Sequence, residues 1–126
     1  MNLILEYITL ARKIDDIRNN RYDDAKEVRK SNTLVNRLRA IACDIEKHHP
    51  EAKADFYQLL FQDSANVRLW VAHHILEVMD YSDTCRKTAL KEISLVAKNN
   101  DGPDGLGNKM WLDLWLKEHP KDKKLL

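Results

Sequence analysis

Residues 63 to 79, DSANVRLWVAHHILEVM, leave this chain little choice of fold. Stepped at about 100° per residue, the rotation of a 3.6-residue turn, Val67, Val71, His74, Ile75 and Val78 fall on one line. Arg68, Leu69, Ala72, Leu76 and Met79 widen that line into a broad, mostly apolar arc. A helix apolar over so wide an arc must be packed on two sides. Asp63 or Ser64 supplies an N-cap oxygen for an otherwise unpaired backbone N–H. The remaining sector holds Asn66, Trp70, His73, Glu77 and Asp80, so a tryptophan sits among polar residues.

The same periodicity predicts helices elsewhere. Residues 3–19 repeat Leu3, Tyr7, Leu10, Ile14 and Ile17 at three- and four-residue steps. Residues 22–48 form the longest pattern, with Tyr22, Ala25, Val28, Asn32, Val35, Leu38, Ala42 and Ile45 on one stripe and Asn32 as its polar interruption. Pro50 ends it, because proline disfavours helix at the residue before it. Shorter helices follow at 51–62 and 84–98. The stretch NNDGPDGLGN, 99–108, holds all three glycines and reads as a turn, with a last helix at 106–118 and a fraying tail at 119–126. Asp101 and Asp104 there do not make a calcium loop, since no carboxylate follows until Asp113 and calcium takes six or more oxygens.

At 126 residues the chain is one domain able to bury a core without disulfides. Lys and Arg number 21 against 20 Asp and Glu, which argues against a dedicated nucleic-acid binder. Cys43 and Cys85 sit inside apolar helical patterns and read as buried free thiols of a reducing compartment. The first residues, MNLILEYITLARK, place Glu6 inside their apolar run and show neither a leader nor a membrane span; a cytoplasmic protein is expected.

Several helices joined by short turns indicate an all-α domain of about five to seven helices. Leu59-Leu60, Asp63, Val67-Arg68, Val71-Ala72 and Ile75-Leu76 follow one another as in the HEAT repeat, which this segment resembles over residues 56–79. The resemblance implies a short α-α superhelix: an N-terminal helical pair at 1–50, a repeat unit at 51–80, and a degenerate second unit at 81–118. Val71 stands where the repeat usually has alanine. Taken whole, with Asn32, residues 59–72, the glycines at 102–107, Trp111 and Trp115, the chain is similar to small HEAT-like bacterial proteins. That family includes immunity proteins of contact-dependent growth inhibition systems. The resemblance implies a cytoplasmic monomer that binds one cognate toxin domain, a nuclease or RNase, in a 1:1 complex and occludes its active site.

The residues themselves point to binding. No phosphate loop, metalloprotease motif or nucleophile elbow is present, and adjacent histidines (48–49, 73–74) point about 100° apart on a helix and cannot chelate one metal. No metal, cofactor or catalytic group is therefore expected. His74 reads as a core histidine. Trp70, His73, Glu77 and Asp80 form one ridge, where Trp70 either packs on the next helix pair or contacts a partner. Asp15, Asp16, Asp23, Asp24 and Glu27 gather around the first turn, either as a solvated face or as a negative patch for a basic nuclease cleft. A scaffold for other helical proteins is the alternative, and a glycosylase-like nucleic-acid binder a weaker one.

Overall fold

The computed structural model describes residues 2–20, 24–99 and 102–126. Its α-helices are α1 (Leu3–Asn20), α2 (Ala25–His48), α3 (Lys53–Gln58), α4 (Ala65–Glu77), α5 (Asp83–Asn99) and α6 (Pro103–Glu118). Short 3-10 segments occupy Pro50–Ala52, Leu59–Phe61 and Pro120–Leu125. Among the described residues there is no strand, and no helix is long and apolar enough to cross a membrane. The fold is all-α, with six α-helices among the described residues.

Several helix starts have a side-chain cap. Asn2 Oδ1 accepts from the N–H groups of Ile4 and Leu5 at the head of α1. Asp24 accepts from Lys26 N at 2.9 Å and caps α2. Ser64 Oγ accepts from Val67 N at 3.3 Å and caps α4. Replacing Ser64 by Ala is expected to lower stability by about 1 kcal/mol, measured as a shift of the urea midpoint with unchanged slope.

The helices pack as neighbours: α1 on α2, α4 on α1 and α5, α5 on α6. The core is continuous. It joins Tyr7 and Ile14 of α1, Leu38, Ile41 and Ile45 of α2, Phe56 of α3, Val67, Val71 and Ile75 of α4, Leu90 and Ile93 of α5, and Leu112 of α6. Tyr7 meets Phe56 edge-on at 4.9 Å, the favoured geometry for two rings of like quadrupole. Arg37 closes the α1–α2 pair with two hydrogen bonds to Glu6, 2.8 and 3.1 Å long, which hold the Glu6 carboxyl below its ordinary value.

Several expectations need correction. The buried polar residue on the α2 stripe is Ser31, whereas Asn32 is exposed. Ser31 lies seven residues from Leu38 and fourteen from Ile45, so it shares their line, and the larger amide turns to solvent. Tyr22 lies outside the described residues. The predicted helix at 51–62 is α3 flanked by two 3-10 turns, and just beyond it Arg68 Nη1 donates to the carbonyls of Gln62 (2.6 Å) and Asp63 (2.9 Å). Helix α6 begins at Pro103 and includes Gly105 and Gly107. Proline is favoured at the first helical position, where its missing N–H has no intrahelical partner to lose. Cys43 and Cys85 are free and half-buried.

The C-terminal segment does not fray. Pro120–Leu125 packs back on α5 and α6, with Asp122 only 6% exposed. Arg86 Nη2 and Trp115 Nε1 both donate to Asp122 Oδ2, at 2.5 and 2.9 Å.

Candidate functional site

Helices α2 and α6 do not pack closely on α4, and the space between them is a cleft of about 340 Å³. Helix α4 supplies its floor with Asn66, Leu69, Trp70, His73, His74 and Glu77. One wall is Val35, Asn36 and Arg39 of α2, the other Asp104 and Asn108 of α6, and Arg18 of α1 closes one end. A second depression of about 280 Å³ adjoins it, sharing Asn66, Leu69 and Asp104 and adding Asp15.

A chain of polar contacts crosses the floor. Arg39 Nη1 lies 3.9 Å from Glu77 Oε1, and Glu77 Oε2 is 3.0 Å from His73 Nδ1. On its other side His73 Nε2 is 2.7 Å from Asn108 Oδ1, while Asn108 Nδ2 donates to the Asp104 carbonyl at 2.7 Å. Each neutral tautomer of His73 can donate to one of its two flanking oxygens. Burial by itself would raise the Glu77 carboxyl; the hydrogen bond from His73 and the neighbouring cations outweigh it and hold Glu77 below its ordinary value.

Trp70 is half-buried and lines the cleft. Its ring stacks on His74 with centroids 6.0 Å apart, and the Arg18 guanidinium carbon lies 5.3 Å from its centroid. The indole therefore presents a surface already set between a cation and a second ring. His74 is the buried member of the histidine pair, at 5% exposure. Tyr7 Oη is hydrogen-bonded to its Nδ1 at 2.6 Å. Burial pushes the His74 ring down to about 4. His73 also meets Trp111 edge-on at 4.4 Å, and Trp111, Trp115 and His119 continue as a stacked ladder one helical turn apart.

Comparisons with protein-family models, curated proteins and solved structures return no match. The cleft is accordingly read from its own chemistry. No serine or cysteine lines it. Among the described residues no three His, Cys, Asp or Glu side chains gather as a metal site. Its surface mixes one indole, three amides, two arginines and two carboxylates, a composition suited to holding a polypeptide surface.

The candidate residues divide. Trp70, His73 and Glu77 share the cleft. Asp80 does not join them, because α4 ends at Glu77: the N–H groups of Val78 and Met79 both bond to the His74 carbonyl, at 3.0 and 3.2 Å. The Asp80 backbone is then held away from the ridge, its N–H by Glu46 at 3.0 Å and its carbonyl by Lys53. The acidic residues around the first turn have different surroundings. Asp15 borders the second depression, Asp16 is exposed, Asp24 is committed to capping α2, Glu27 is half-buried on α2, and Asp23 lies outside the described residues. Sequence reasoning missed Arg18, Asn36, Arg39 and Asn108. Only Asn66, four residues before Trp70 on the polar sector of α4, carried a periodic signal.

Proposed function

We propose that the chain is a non-catalytic immunity protein that binds one cognate bacterial toxin domain, a nuclease, through the cleft between α2 and α6 and so occludes the toxin's active site. Two things support this reading. The order of residues over 56–79 and in the chain as a whole resembles small HEAT-like bacterial immunity proteins. The observation that carries it is the cleft itself, where a half-exposed tryptophan is held by Arg18 and His74 among polar groups already paired to one another. An indole so held contributes contact area on binding with little loss of rotamer freedom.

The charge balance of the cleft weighs against a nucleic-acid ligand. Arg18 and Arg39 are met by Glu77 and Asp104, so no cationic stripe tracks a phosphate backbone. A general scaffold differs in binding several partners weakly.

The test is co-expression with the toxin domain encoded beside this chain. Co-purification as a 1:1 complex is expected. Trp70→Ala and Glu77→Lys should each weaken it roughly tenfold or more in calorimetry, while Asp80→Lys, off the ridge, should change it little. Separate elution of the two wild-type proteins at micromolar concentration would end the proposal.

A further inference from the structure

Helix α6 has a face that this chain leaves uncovered. Asp104 and Asn108 look into the cleft and Leu112 into the core. The outer face holds Leu106, Met110 and Leu114, spaced four residues apart and 62, 65 and 57% exposed. A stack of helical pairs ordinarily ends in a polar outer face, because each unit buries its apolar side on the next. Here α6 carries an apolar ridge that the described residues leave exposed. The C-terminal 3-10 segment packs on α5 and α6 yet leaves that ridge open.

A second observation comes from Gly107, beside Leu106 on the same outer side. Its φ is not positive, and a Cβ built there meets nothing within 4 Å. Glycine inside a helix is unfavourable relative to alanine because it loses more backbone freedom on folding. Neither turn geometry nor crowding within the chain calls for it. It does make a notch next to an apolar ridge, where a second helix can come close.

The outer face is also complementary to itself. In an antiparallel pair with the two-fold axis between positions 110 and 111, Gly107 of one copy faces Leu114 of the other, and the two Met110 side chains meet. Lys109 and Asp113, both exposed on one edge, then cross to each other's counterpart. We propose that two copies of this chain associate through antiparallel packing of their α6 helices, each Leu114 entering the notch over the other's Gly107. The association replaces the free monomer expected from the sequence. It leaves both clefts open, since they lie on the other side of α6. Three side chains fall short of the ~800 Å² per partner of a standard interface, so the dimer is weak.

Sedimentation equilibrium tests this, run from roughly 10 µM to 1 mM, the range in which a weak dimer forms. The wild-type mass should rise from the 14.8 kDa of one chain toward twice that value. Met110→Glu and Gly107→Gln should each stay at one chain throughout with unchanged helical circular dichroism. Gly107→Gln should also raise the melting midpoint of dilute protein, which shows that its loss of association is not a loss of fold. Lys109→Asp should weaken association roughly tenfold, and adding Asp113→Lys should restore it. A wild-type mass that stays at one chain up to the highest concentration overturns the proposal, as does a dimer that persists in Met110→Glu.

Discussion

Replacing Asp122 by Ala is expected to lower the unfolding free energy by about 3 kcal/mol, read from urea denaturation followed by circular dichroism. The Asp122 carboxylate is buried and accepts from both Arg86 and Trp115. Its removal leaves the Arg86 guanidinium, whose side chain is 19% exposed, without its counter-charge, and the indole N–H without an acceptor. Stranding one partner of a buried pair is more harmful than deleting both, so Asp122→Ala combined with Arg86→Met should recover much of the loss. Asp122→Asn keeps an acceptor oxygen but not the counter-charge and should lose an intermediate amount, about 2 kcal/mol. If Asp122→Ala proves as stable as wild type, the C-terminal segment is not held by this carboxylate.

The second large effect is a loss of stability in mild acid, centred on His74. The ring has a folded value of about 4 against an ordinary 6.5, because burial disfavours its charged form. Between those values the unfolded chain binds a proton that the folded chain refuses. Stability therefore climbs as pH rises through this window, is complete above 6.5, and falls as pH drops toward 4, by about 3 kcal/mol in all. Glu6, Glu46 and Glu77, held below their ordinary 4.5, add a loss of the same sign at lower pH. Tyr7→Phe alone should destabilise by about 1–3 kcal/mol at neutral pH, since it leaves the buried Nδ1 without its hydrogen-bond partner. The pair Tyr7→Phe with His74→Leu removes both polar groups and should flatten the profile between pH 4 and 6.5. Persistence of the full slope in that double variant would place its origin elsewhere.

The parts of the fold that were legible are those that local periodicity controls. Leu38, Ile41 and Ile45 on α2 and Val67, Val71, His74 and Ile75 on α4 are buried along the arcs that their spacing predicts. Ends and interruptions were less legible, because distant groups decide them. Arg68 Nη1 holds the Gln62 and Asp63 carbonyls in the turn before α4. Glu46 and Lys53 hold the Asp80 backbone and take that residue off the ridge. Glycine count suggested a turn at 99–108, yet Pro103 starts a helix that simply tolerates Gly105 and Gly107. The tail reads as basic and loose until Arg86, 36 positions earlier, meets Asp122. The cleft follows the same rule: α4 contributed its floor through a pattern, while its walls depend on how far α2 and α6 stand from it.

The polar bridge from Arg39 through Glu77, His73 and Asn108 to Asp104 has a mechanical consequence. It ties both walls to the floor, beside the edge-on contact of His73 with Trp111, so the opening is preformed and an incoming chain need not organise it. Breaking the bridge where it reaches α6, as in Asn108→Ala, should then slow capture by letting the jaws drift apart, while the grip of a docked partner on Trp70 changes far less.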